Sequence, residues 1–181
     1  LLNNIAKKDI MAIMNISASK LAQILQQGFS GSYQPEQVTF LLQKMQLQPT
    51  DTQEKERLIQ SGKKHYSQMI SQENPPSTQH LQLFEQALQQ GQQRFVEEVQ
   101  QLAQSIIQQW QFSKDKPIVL VSFVRAGVPL GVLLNYALQD LGQASVHYGI
   151  SIIRDRGIDF AALETLIAAY DVESLVFVDG W

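Results

Sequence analysis

The sequence predicts an α/β protein built on a Rossmann-like parallel sheet, with a helical N-terminal extension. Three observations lead there. "IVLVSFV" (118–124) is an unbroken apolar, largely β-branched run, the pattern of a strand buried on both faces. Two more apolar runs, "SVHYGISII" (145–153) and "SLVFVD" (174–179), come after it at spacings that leave room for one helix each. The intervening segments carry helix signals, with Pro129 and Gly142 bracketing one and Asp159 capping the other. Strand–helix–strand–helix–strand in this order implies right-handed crossovers and a parallel sheet.

Residues 1–27 form the extension, one or two amphipathic helices with Ile10, Ile13, Leu21, Ile24 and Leu25 at helical spacings and Gly28 as a stop. The domain proper is expected over 28–181. "GFSGSYQPEQVTFLL" (28–42) is a turn segment leading into a short strand or a helix. The polar stretch 43–78 holds one helix, from Thr52 to Gly62, whose lysines and glutamates make a solvated face. Pro75-Pro76 break the chain, and Ser77 or Thr78 caps the next helix. From Leu81 to Trp110 the apolar residues step by three, four or seven. That spacing predicts one long amphipathic helix packed on a face of the sheet, or two joined at Gly91. The next helices are expected at 129–142 and 159–170.

Composition excludes several functions. The chain has 181 residues, 44% hydrophobic and 17% charged, with a formal net charge of −3. That is a globular composition with no general attraction for nucleic acid or an anionic membrane. There is no cysteine, so these residues offer no disulfide, thiolate metal site or thiol nucleophile. No apolar run reaches the roughly 20 residues that span a bilayer, and a cytoplasmic location is the default expectation. His65, His80 and His147 stand in no metal-ligand spacing, and His147 and Tyr148 lie inside a strand, where a core or interface role is a simpler reading than catalysis.

The charge distribution points to a site. From Ile118 onward the basic residues are Arg125, Arg154 and Arg156, with no lysine and seven carboxylates. All three arginines fall at strand ends, in Arg125-Ala126-Gly127 and Arg154-Asp155-Arg156-Gly157, and the third strand ends in Asp179-Gly180. Open parallel sheets bind ligands outside the carboxyl ends of their strands. If residues 154–156 are extended, Arg154 and Arg156 share a face, and two guanidiniums there suit a phosphate. Gly127 and Gly157 would let backbone approach the ligand closely. The plainer alternative is a surface pair between Asp155 and a neighbouring arginine, worth about 0–1 kcal/mol.

"VLVSFVRAGVPLGVLL", "HYGISIIRDRGID" and "LVFVDGW", in this order, resemble the phosphoribosyltransferase-like domain family of bacterial tellurium-resistance and stress operons. "GSYQPEQVTFLL" and "HYSQMISQENPP" extend the resemblance to about 28–181. Some members carry the label cysteine protease StiP, for which these cysteine-free residues hold no nucleophile.

The resemblance to type I phosphoribosyltransferases implies a domain that binds phosphoribosyl pyrophosphate and transfers its phosphoribosyl group to an unidentified acceptor. It implies Mg²⁺ held through the ligand, and leaves a homodimer open. Arg125 and Asp179 would be the catalytic residues, Arg125 on the leaving pyrophosphate and Asp179 on the ribose. Ala126, Gly127, Arg154, Arg156, Gly157 and Gly180 would line the ligand. Two departures stand out. Gly180 occupies the usual second acidic position, and the Thr/Gly-rich phosphate loop is expected in continuing sequence after Trp181. The alternatives are a non-catalytic nucleotide- or phosphoribosyl-binding module, or a structural partner in a stress-response complex.

Overall fold

The computed structural model describes residues 23–109 and 116–180. Most of the expected N-terminal extension, and both tryptophans, lie outside the described residues. The chain forms two compact units, one of residues 1–42 and 96–181, the other of residues 43–95.

The first unit is built on strands β1 (Thr39–Phe40), β2 (Ile118–Val124), β3 (Ser145–Ile153), β4 (Gly157–Ile158) and β5 (Leu175–Val178). The sheet order is β1-β3-β2-β5, with β4 paired to β3. β2 pairs in parallel with β3, from Ile118↔Ser145 to Val124↔Ser151, and with β5, from Val119↔Leu175 to Ser122↔Val178. β1 joins the other side of β3, also parallel, which resolves residues 39–40 as strand rather than helix. The parallel sheet expected from the three apolar runs is therefore present.

The two crossover helices are Gly127–Asp140 and Phe160–Ala169. The first starts two residues before Pro129, which sits in its first turn, where a missing N–H costs no helical bond. Gly142, past its end, takes φ 76°, a left-handed value that suits glycine. The second is capped by Asp159, whose Oδ1 accepts from the Ala162 amide at 3.1 Å.

These helices lie on opposite faces. Ile118 and Leu120 of β2 pack with Leu134 and Leu138 of the first helix. Val119 and Val121, alternating to the other side, pack with Ala162 and Leu166 of the second. Hence β2 is buried from both sides over Ile118–Ser122, as its β-branched run anticipates.

A single helix, Thr78–Gln109, runs unbroken through Gly91. Ser77 caps it through Oγ, accepting from the His80 amide at 3.2 Å. Its later part, in the first unit, buries Val99 and Ala103 in the core with Leu120, Leu134 and Leu138. The expectation that the whole stripe packs is corrected within the second unit, where Leu81, Leu83, Phe84 and Leu88 are exposed. Periodicity defines an apolar face, but packing needs a partner surface as well.

Elsewhere in the second unit, the Thr52–Gln60 helix is capped by Asp51 and buries none of its residues. Glu54 and Arg57 pair on its solvent side at 2.7 Å. Among the described residues no helix is long and apolar enough to cross a membrane.

Candidate functional site at the carboxyl edge of the sheet

The helix after β2 covers one face and the helix after β3 covers the other, while β3 and β5 flank β2. Chain direction away from β2 therefore reverses between β2 and β5. That is a topological switch point of the strand order, at the edge where open α/β sheets bind ligands.

The loops at this point are Arg125-Ala126-Gly127 and Asp179-Gly180. They meet backbone to backbone. A Cβ on Gly127 would run into the carbonyl of Val178, and one on Gly180 into the carbonyl of Ala126. Both glycines are thus required by close approach of the chain, more than by a turn. Arg125, Ala126, Asp179 and Gly180 are exposed, whereas Gly127 is buried. The Val124–Arg125 peptide bond is cis. The Asp179 Oδ1 accepts from the following Gly180 amide at 2.7 Å, which holds the carboxylate over its own turn.

Arg154 and Arg156 lie elsewhere on the same edge. β3 continues past Ser151, the partner of Val124, and folds back through a tight turn into β4, with Ile153 opposite Gly157. The expectation of an extended 154–156 segment is corrected. These residues form the turn, Asp155 takes φ 65° and Gly157 φ 93°, and the Arg156 amide donates to the Ile153 carbonyl at 3.0 Å. Strand alternation accordingly does not set the directions of the two guanidiniums. The short β4, antiparallel to β3, is absent from the sequence-based expectation, although Gly157 directly after a charged tripeptide is a turn signal. Among the site residues, then, the fold brings Ala126, Gly127, Asp179 and Gly180 into one tight cluster with Arg125 beside it. The arginine-bearing turn stands at the end of the neighbouring strand.

Beneath the β2 loop lies a buried polar cluster that composition and motif do not reveal. Ser122 is fully buried and His147 is 5% exposed. Ser122 Oγ lies 2.7 Å from His147 Nε2 and 3.1 Å from the Gly127 carbonyl oxygen. His147 Nδ1 lies 2.8 Å from the Gln37 carbonyl oxygen. Gly131, on the first crossover helix, makes the room, since a Cβ there would collide with both Ser122 Oγ and the imidazole. Burial lowers the pKa of His147, opposed in part by the bond to Gln37. The signal in the sequence is a hydroxyl and an imidazole inside two strands otherwise built for full burial, because buried polar groups need partners. The core role read for His147 agrees with this placement. Although hydroxyl and imidazole have the spacing of a nucleophile and its base, the helix seals Ser122 from any substrate.

Among the described residues no group of three or more His, Cys, Asp or Glu side chains gathers in a way that could hold a metal ion.

A family model described as "Tellurite-like stress resistance cysteine protease StiP" matches residues 31–181. The chain belongs to the StiP family. It is 69% identical over 172 residues to "Cysteine protease StiP" of Acinetobacter baylyi (strain ATCC 33305 / BD413 / ADP1), covering 94% of this chain and 43% of that protein. The chain therefore spans less than half the length of the curated relative it matches. No solved structure matches it.

These findings support the stress-resistance half of the resemblance and overturn its transferase half. Family and relative are named for cysteine proteolysis, so phosphoribosyl transfer is withdrawn as the function, together with the glycosyltransferase assignment. The physical reason is general. A parallel sheet with a loop cluster at its switch point serves many chemistries, and the edge geometry does not choose among them.

Proposed function

We propose that this chain is the ligand-holding α/β part of a stress-resistance protein whose proteolytic thiol, the activity named for its relative, is supplied by other parts of the full protein. The observation that carries the division is the coincidence of 69% identity to a "Cysteine protease StiP" with a complete lack of cysteine in these residues. A thiolate nucleophile cannot be replaced here by Ser122, which is sealed in the core.

The role left to this segment is at the β2–β5 edge. Arg125 supplies positive charge beside the crowded Ala126–Gly127 and Asp179–Gly180 backbones, and Arg154, Arg156 and Gly157 supply a second charged turn on the next strand. A small multiply charged anion, accompanied by Mg²⁺ on its own oxygens, suits that arrangement. Such a ligand would act on the protease as an effector or as a positioned group.

The test uses the full-length protein. Treatment with iodoacetamide should abolish proteolysis of a casein substrate, yet leave calorimetric binding of Mg²⁺–pyrophosphate to this edge intact. Arg125→Ala should weaken that binding by about 1.5–3 kcal/mol, the range for a lost charge-assisted bond. Proteolysis that survives alkylation would remove the thiol from the reading, and pyrophosphate affinity unchanged in Arg125→Ala would remove the anion site.

A further inference from the structure

We propose that Ser122 and His147 form a proton-operated latch on the β2 loop, in which protonation of His147 turns the Ser122 hydroxyl from the imidazole onto the Gly127 carbonyl. As a regulator of the β2–β5 edge, the latch rests on the ligand-holding role proposed for that edge; as a device in the fold, it rests on hydrogen-bond arithmetic alone.

The contact with Gln37 fixes the tautomer of His147. A carbonyl oxygen only accepts, so the 2.8 Å contact requires His147 Nδ1 to carry a proton. In the neutral ring Nε2 is then a bare acceptor. Ser122 has one hydroxyl proton, and with Nε2 at 2.7 Å it donates there. The Gly127 oxygen, 3.1 Å from the same Oγ, receives no proton from it in that state. Once the ring is protonated, Nε2–H donates to Oγ. The hydroxyl proton must then point elsewhere, and the Gly127 oxygen is the acceptor in reach. Both states keep His147 fully bonded, and they differ in whether the first residue of the Gly127–Asp140 helix is held to β2 by a side chain.

That residue is where a change would be felt. A Cβ on Gly127 would strike the Val178 carbonyl and one on Gly180 the Ala126 carbonyl, so the two backbones lie close and a shift of the Gly127 peptide has little slack before it moves the Asp179–Gly180 turn. The surroundings of His147 favour a clean response. Gln37 approaches from the segment before β1, Ser122 from β2 and Gly131 from the helix. The neighbouring titratable groups act at one remove: Tyr136 of the helix accepts from Gln37 Nε2, and Glu36 offers its backbone carbonyl to Asn135. Burial and the Gln37 bond are what displace the imidazole from its ordinary behaviour, with no charged side chain contributing. Burial makes the neutral, unlatched state the resting one at neutral pH, and acidification engages the latch.

Full-length protein labelled with ¹⁵N-histidine and ¹⁵N-glycine provides the test, read by NMR from about pH 7.5 to the acid limit of folding. At neutral pH the His147 ring should show the Nδ1–H tautomer. On acidification the Gly127 and Gly180 amide signals should move with the same midpoint as the ring. In Ser122→Ala the ring should still titrate, and the two glycine signals should lose that midpoint. An Nε2–H tautomer in wild type, glycine signals that never follow the ring, or glycine signals that follow it equally well in Ser122→Ala would each overturn the latch. If Ser122→Ala does not fold, the wild-type tautomer and the wild-type comparison of midpoints still decide. Calorimetry with Mg²⁺–pyrophosphate across the same pH range separates the two readings. Coupled signals without pyrophosphate binding leave the latch standing and remove the ligand, whereas binding without coupled signals does the reverse.

Discussion

The strand Ile118–Val124 and the apolar stripe on the first half of the Thr78–Gln109 helix meet opposite fates. Five consecutive residues of the strand are buried, enclosed by helices on both faces. The helix between Thr78 and Phe95 leaves Leu81, Leu83, Phe84, Leu88 and Phe95 between 47% and 60% exposed. An apolar stripe is a demand for cover, and the difference lies in whether the described residues provide it. In the first unit, side chains, glycines and a buried histidine are locked by neighbours. In the second, Met69 is buried and Pro49 bridges to Ile70, but the described residues leave the first half of the long helix uncovered.

The largest effect that could break this contrast is a truncation in the strand. Leu120→Ala removes a side chain with no exposure from the cluster of Val99, Leu134 and Leu138. It should cost about 2–5 kcal/mol, the range for a buried large-to-small change. Leu83→Ala on the helix, a 58% exposed position, should stay within about 0.5 kcal/mol. Urea denaturation of both variants measures the ratio. Similar costs at the two positions would mean that Leu83 is covered in the full protein.

Next in size is Gly131→Ala. The added methyl falls on Ser122 Oγ and the His147 ring, backed by β2 and β3, so the cluster has to separate or the helix has to lift. Overpacking of this kind costs about 1–3 kcal/mol. A variant as stable as wild type would show that the helix is free to move away from the strands at that point.

The same contrast explains what can be read in advance. Strand order along the chain, helix positions and the parallel sheet are legible because β-branched runs, Pro129, Gly142 and Asp159 act locally. The Asp179–Gly180 and Arg125–Gly127 loops are legible as strand ends, and the topology then makes them neighbours. The turn at Arg154–Gly157 is not, because whether three charged residues stay extended depends on a two-residue strand pairing back onto β3. The Ser122–His147 contact is hidden for a different reason. It joins two strands across 25 positions of sequence through a gap opened by a glycine on a helix. No local pattern encodes such a contact.

A smaller, graded effect is expected from pH. In the folded chain burial holds the His147 pKa below its ordinary value, while the unfolded chain protonates near pH 6.5. Between those two values the unfolded state binds more protons than the folded one, so stability must fall as pH falls. The contribution present above about pH 6.5 is lost on the way down and levels off below the folded pKa. Chemical denaturation at a series of pH values should show this slope in wild type, and His147→Gln should remove it. A slope of opposite sign would mean that an unseen carboxylate stabilises the charged ring.

The smallest effect runs the other way and probes the second unit. Gly91 lies in the middle of the Thr78–Gln109 helix, and a Cβ built on it meets nothing within 4 Å. A methyl group there therefore encounters no strand, loop or side chain. What remains is the backbone term, since glycine gives up more conformational freedom than alanine when it enters a helix. Gly91→Ala should raise stability by about 1 kcal/mol, the intrinsic difference between the two residues in a helix interior. Hydrogen exchange of amides 85–95 is the sharper readout, because local opening of this stretch should become rarer by the same free energy even where global unfolding masks it. Unchanged or faster exchange would mean that the gap at Gly91 is filled in the full protein. The exposed stripe of Leu81, Phe84 and Leu88 would then have to be reconsidered as a covered face.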